Sequence, residues 1–170
     1  MSSAACRTPP AAAPSGSACP VPGPTTSSWI ALAEEAAGHP DKADALLKSA
    51  GTLVDCYRFR ADILDGRNDW RAAQKAYAAA VVLAPDLPAA HYSWGVALLK
   101  HGDLAGAIAK LKDATERGPH WADPLKAWGD VLAKQGQRKE ALAKYDEALK
   151  YAPNWVALKQ ARDAAAKATI

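Results

Sequence analysis

Pro85, Pro119 and Pro153 stand 34 residues apart. The same interval separates Ala73, Ala107 and Ala141, and again Ala80, Ala114 and Ala148. Small residues recur at Ala61, Gly95 and Gly129, and large side chains at Tyr77, Leu111 and Tyr145. Five columns at one interval mark an internal repeat. A period of this length belongs to stacked supersecondary units, none of which can bury its apolar face alone. The period divides the chain into units 54–87, 88–121 and 122–155.

Within a unit the apolar spacing is helical. In the second, one amphipathic helix (helix A) runs from Pro88 to His101. A turn at Gly102-Asp103 follows, and Asp103 is placed to cap the next helix. Helix B then carries Ala107, Ile108, Leu111 and Ala114 on one face. Gly118-Pro119 stops it, because proline cannot continue a helix and glycine tolerates the exit conformation. The third unit repeats the plan through Gly136 and Ala141, Leu142, Tyr145 and Ala148; in the first, Asp69 is the corresponding cap. Composition agrees. Alanine occurs 41 times, valine seven times and phenylalanine once, which disfavours an all-β fold and favours closely packed helices.

These columns resemble the tetratricopeptide repeat, a 34-residue helix–turn–helix unit with a small residue eighth, alanine at twenty and twenty-seven and proline at thirty-two. The resemblance covers about 54–155. Position four is His91 or Leu125 instead of tryptophan, and position seven is Trp94 or Trp128 instead of leucine, which moves bulk along one helix face. The resemblance implies an all-α fold, an α-solenoid of antiparallel helix pairs wound as a right-handed superhelix. It also implies that position eight faces positions twenty and twenty-seven where the helices cross.

The flanks read differently. Residues 1–26 are rich in Ala, Pro and Ser, with six of the twelve prolines, and lack the large apolar groups needed to order by burial, so a disordered tail is expected. Residues 27–53 read as a divergent, degenerate helix pair: Trp29, Ile30 and Ala33 on one face, Gly38-His39-Pro40 as the turn, and Ala43, Leu46, Leu47 and Ala50 on the second. Residues 156–170 read as a cap helix, with Leu158, Ala161 and Ala165 turned inward.

Several function classes are disfavoured. A net charge of +3 from 21 basic and 18 acidic residues gives no dominant field for nucleic acid or anionic membrane. No run of about 18 apolar residues exists, so no membrane association is expected. Three cysteines are an odd, scattered set, with Cys6 and Cys19 in the tail, and a cytoplasmic address is expected. Cys19 follows no apolar run, so lipidation is not expected. Cys56 lacks a nearby base and reads as a packing thiol. Of the four histidines, His101 and His120 fall at opposite ends of a helix pair, about 20 Å apart. His91 should pack at a helix start and the others should be solvated. Asp62 and Asp65 should form solvated pairs with Arg58 and Arg60. No metal, cofactor or enzymatic activity is expected. Trp94 with Trp128, and Trp121 with Trp155, recur at the period and read as packing.

The resemblance also implies where function lies. In the family, helices A line a concave groove through positions two, five, six, nine, twelve and thirteen. These map onto Asp55, Arg58, Asp62 and Asp65, then Ala89, Tyr92, Ser93, Val96, Leu99 and Lys100, then Asp123, Lys126, Ala127, Asp130, Ala133 and Lys134. The candidate partner-binding residues are Arg58, Asp62, Tyr92, Ser93, Val96, Leu99, Lys100, Lys126, Asp130 and Lys134. They give an apolar, aromatic centre with charged flanks, the layout of a dry-centred interface. Docking of a chaperone C-terminal carboxylate is disfavoured, because Asp62 and Asp123 would repel it. The expectation is a non-catalytic interaction module that binds a peptide or helix of a partner protein. The alternatives are a regulatory or sensory module acting with another domain or subunit, and a small-molecule or cofactor binder using the groove aromatics.

Overall fold

A computed structural model describes residues 24–49 and 54–167. The expectations for the tail through residue 23, for Ala50, and for the side chains of Trp29, Asp55 and Cys56 lie outside what it describes. The described residues form nine helices: α1 (Pro24–Ala36), α2 (Pro40–Ser49), α3 (Val54–Gly66), α4 (Trp70–Leu83), α5 (Pro88–Lys100), α6 (Leu104–Arg117), α7 (Ala122–Lys134), α8 (Arg138–Tyr151) and α9 (Val156–Lys167). Helix α1 begins at Pro24, inside the stretch expected to be tail; proline is pre-shaped for a first helical turn, where its missing N–H costs nothing.

Each turn from helix A to helix B needs one left-handed residue. Asn68, Gly102 and Gly136 supply it, with φ of 64°, 82° and 77°, and they too stand at the repeat interval. Two turns then fix the start of helix B through an aspartate. Asp69 accepts from the Ala72 N–H at 3.0 Å and Asp103 from the Gly106 N–H at 2.8 Å, satisfying otherwise orphaned donors.

Consecutive helices pair as α1/α2, α3/α4, α5/α6 and α7/α8, and α9 closes the stack against α8 and α7. Along the stack α1 touches α3, α3 touches α5, α5 touches α7 and α7 touches α9, with no comparable contact between successive helices B among the described residues. Helices A are therefore the crowded side, so the stack curves with α3, α5, α7 and α9 on its concave face.

The small columns set the pair spacing. A Cβ on Gly95 would lie 2.8 Å from Leu111 Cγ, and one on Gly129 only 2.5 Å from Tyr145 Cε1. The residue met most closely across the small column is thus the large one at Leu111 or Tyr145, while Ala61 also shares a core cluster with Ala73, as the column pattern implies. Ala73, Ala107, Ala141, Ala80, Ala114 and Ala148 are all fully buried beside it. Leu111, Leu125 and Leu158 are fully buried as well, each contributing about 1.5–3 kcal/mol of apolar transfer. The recurrent tryptophans are packing elements. Lys110 lies over the Trp94 ring at 4.5 Å and Lys144 over Trp128 at 4.2 Å, the same cation–π pair one repeat apart.

At the N-terminal end, the α1 face differs from expectation. Ala31 is buried and Ala33 exposed. Ala31 packs with Ala43, Leu47, Phe59 and Ile63 in one core cluster, which is braced by Arg67, the residue that follows α3. It donates to both Glu35 oxygens, at 2.8 and 2.6 Å, and to Asp44 of α2 at 3.1 Å. That fork ties Glu35 of α1 and Asp44 of α2 to the end of α3. At the other end Leu158 and Ala165 are buried, and Arg162 donates to Asp146 of α8 at 3.0 Å.

Candidate functional site: the concave face

Equivalent positions on α3, α5 and α7 form rows across the concave face. One row is Arg58, Tyr92 and Lys126; the next is Asp62, Val96 and Asp130. The middle of both rows is apolar. Val96 is 38% exposed. Tyr92 is half-buried, its ring tilted against Trp121 at 4.8 Å. Burial, then the nearby charges of Asp123 and Asp130, push its hydroxyl pKa up, so it stays a neutral donor. Ser93 lies beside it, also half-buried.

The flanking carboxylates are held from behind. The Tyr77 hydroxyl, on α4, donates to Asp62 at 2.6 Å, and the Tyr145 hydroxyl, on α8, donates to Asp130 at 2.9 Å. Burial raises the Asp62 pKa, against the lowering effect of the Tyr77 bond and the charge of Arg58. The guanidinium of Arg58 lies 4.3 Å over the Phe59 ring.

Four expectations need correction. The groove lysines are less available than a solvated rim implies: Lys126 is bound to Asp130 at 2.8 Å and Lys100 to Asp65 at 2.8 Å. Lys134, in the last turn of α7, is exposed. Asp65 is not solvated; it is 8% exposed and also binds His101, whose ring stacks on Trp70 at 3.9 Å. So His101 is a tertiary contact between α3, α4 and α5, not a free side chain. Leu99 is half-buried against the Leu98–Leu111–Val131 cluster, which makes it a packing residue more than a groove residue. His91 is buried, its Nε2 2.8 Å from the Pro85 carbonyl.

Two cavities open on this face. One, of about 190 Å³, lies between α3 and α5 and is lined by Asp62, Asp65, Tyr77, Ser93 and Val96, among others. The other, of about 360 Å³, lies between α7 and α9 over Tyr145, with Ala133, Arg138, Ala161, Ala164 and Ala165 around it. Tyr77, Tyr145 and Arg138 are therefore groove residues that the periodicity alone presented as packing or turn positions. The signal for the two tyrosines was the recurrence of the Asp–Tyr combination two periods apart. Among the described residues no three His, Cys, Asp or Glu side chains are grouped to hold a metal ion. No helix of the described residues is long and apolar enough to cross a membrane.

Known proteins share the repeat fold. Family models described as tetratricopeptide repeat match residues 60–120 and 122–155. No curated protein matches the sequence. Among solved structures, the chain is similar to PilF of Pseudomonas aeruginosa, with a TM-score of 0.74 at 14% identity over 84% of this chain and 67% of that one. It is similar to YrrB, a tetratricopeptide repeat protein with an unusual peptide-binding site, with a TM-score of 0.67 at 21% identity over 82% and 74% of the two chains. A chain of the Cut9–Hcn1 hetero-tetramer gives 0.72 at 16% identity, over 84% of this chain but 30% of that one. At these identities the likeness shows the fold alone.

Proposed function

Since the chain belongs to the tetratricopeptide repeat family, a family of protein-interaction scaffolds, we propose that it is a non-catalytic module binding a segment of a partner protein on its concave face. The observation that carries this reading is the row Asp62–Val96–Asp130, with Tyr92 beside it. An exposed aliphatic and a half-buried aromatic lie between two carboxylates that are each fixed by a tyrosine from the helix behind. Fixed polar groups around an apolar centre lose little side-chain entropy on binding, so more of the contact energy survives as affinity.

The protein works in the cytoplasm on this reading, which rests on its three scattered cysteines. The test is photo-crosslinking in the source cell. With p-benzoylphenylalanine placed at Val96, defined protein adducts should form and should be lost when Tyr92→Ala is added. Adducts formed only when the photoprobe stands at Lys112, on the exposed face of α6, would overturn the concave-face assignment.

A further inference from the structure

The third unit leaves one of its corners unneutralised. Helices α7 and α9 both pack on α8 and on each other, so their last turns meet the first turn of α8 at one end of the stack. Lys134, Arg138, Lys139 and Lys167 are all exposed there. Among the described residues none of the four has an ion pair or a side-chain hydrogen bond. The repeat explains why. One period earlier Lys100 is held by Asp65 at 2.8 Å, but the residue that stands to Lys134 as Asp65 stands to Lys100 is Leu99. Arg138 takes the place of Trp70 and Leu104, which pack inward, and Gln137 that of Asp69 and Asp103. The carboxylates of the three helices offer little compensation. Asp130 is engaged by Tyr145 and Lys126, Glu147 by Lys144, and Asp146 and Asp163 by Arg162. Asp123 stands at the opposite end of α7, which leaves Glu140 in the first turn of α8 against four cations.

The same corner holds an apolar hollow. The cavity of about 360 Å³ between α7 and α9 is walled by Ala133, Ala161, Ala164 and Ala165, floored by Tyr145 and bordered by Arg138. The Tyr145 hydroxyl is spent on Asp130, so the Arg138 guanidinium is the free polar side-chain group of the lining. An occupant that matches this surface is apolar within the cavity and acidic at its mouth. We propose that the corner binds a segment of a partner protein in which one large apolar side chain fills the cavity and flanking aspartates or glutamates pair with Arg138, Lys134 and Lys139. The proposal rests on the concave-face reading above and adds the partner's chemistry to it. The enclosed apolar side chain supplies affinity, and the exposed charges speed encounter and set the orientation of the segment.

The test is selection of a random dodecapeptide library displayed on phage against the intact protein, followed by fluorescence-anisotropy titration of synthetic copies. These copies are amidated at the C-terminus, so only side-chain carboxylates contribute. Enriched peptides should carry a large apolar residue with aspartate or glutamate within two positions of it. Their binding should fall about tenfold or more in Arg138→Glu, and likewise in Ala164→Leu, which fills the cavity from an exposed position. Arg138→Lys, which keeps the charge, should stay within about threefold of the parent, and added salt should weaken the parent complex more than that of Arg138→Glu. Peptides without acidic residues, or peptides that bind Arg138→Glu and Ala164→Leu like the parent, would overturn the proposal. If such peptides are lost on Tyr92→Ala, the concave-face reading stands; if they bind Tyr92→Ala like the parent, that reading falls as well. A selection that enriches no common pattern would overturn the proposal. Self-association of the protein in analytical ultracentrifugation that disappears in Arg138→Glu would also overturn it, and would assign the corner to a second copy of the chain.

Discussion

The Tyr77 hydroxyl reaches from α4 between the helices of its own pair and holds Asp62 on the opposite, concave side at 2.6 Å. Tyr145 and Asp130 repeat the arrangement two units on, at 2.9 Å. The tyrosine ring passes over the small-residue column: Gly129 is the position where a Cβ would come within 2.5 Å of the Tyr145 ring. So the column that allows two helices to touch also aims a carboxylate into the groove. The middle unit carries Leu111 and Val96 at these places, and there the concave face is apolar.

The two carboxylates should respond differently to neutralisation. Burial, ahead of every other influence, raises the pKa of Asp62, so its ionised form opposes folding once the pH exceeds its unfolded value near 3.8. Asp62→Asn removes that cost and keeps an acceptor for Tyr77. Its melting temperature at pH 7 should equal or exceed the parent's. Asp130→Asn loses the Lys126 pair and should cost about 1 kcal/mol. Thermal denaturation followed by circular dichroism checks both, and equal losses would contradict the assignment.

Overpacking should track the repeat columns. Ala107→Leu or Ala141→Leu, both at fully buried sites, should cost about 1–3 kcal/mol. Ala109→Leu, at an exposed site on α6, should change stability by less than about 0.5 kcal/mol. Gly129→Leu should cost more than Gly129→Ala, because the first unit already accommodates Ala61 on the Tyr77 side of its pair. Chemical denaturation at constant m-value measures these differences.

Asp65 should give the fold an acid-sensitive joint. Burial pushes its pKa up, but the hydrogen bonds and charges of Lys100 and His101 outweigh this and hold it below its ordinary 3.8. A carboxylate depressed by folding contributes stability above its unfolded pKa and loses that contribution as the pH falls through the folded value. The difference in melting temperature between the parent and Asp65→Asn should therefore be constant near neutrality and shrink below about pH 4. A difference that persisted at pH 2 would show that Asp65 acts by packing alone.

Arg67 should decide whether the N-terminal pair stays on the stack. It bonds Glu35, Asp44 and the Pro40 carbonyl together. Arg67→Ala should cost about 1–2 kcal/mol. Amide exchange should rise in α1 and α2 and leave α7 and α8 unchanged, and Arg67→Lys, which cannot reproduce the bidentate fork, should recover only part of the loss.

The repeat made most of the fold legible. Asp69, Asp103, Pro88 and the alanine columns act through neighbours a few residues away or one period away, and periodicity exposes such relations directly. The divergent end was less readable, because the α1 face is set by long-range contacts, Ala31 against Phe59 and Ile63 and Glu35 against Arg67, which no repeat column announces. In the groove, Tyr92 and Val96 could be placed from their columns. The internal pairing of Lys100 and Lys126 could not, since it depends on rotamers across helices. The role of Tyr77 and Tyr145 was hidden because one residue serves both as packing and, through its hydroxyl, as part of the concave face.

The measurement that tests the concave-face account most directly is titration calorimetry of the partner segment recovered by crosslinking at Val96 against three forms of the protein. A central aromatic anchor carries about 2 kcal/mol or more of binding. Tyr92→Ala should therefore weaken the complex about thirtyfold or more while its melting curve stays cooperative. Lys112→Glu, on the exposed face of α6, should bind within about twofold of the parent. Full affinity in Tyr92→Ala together with loss in Lys112→Glu would contradict the account and move the interaction to the outer face.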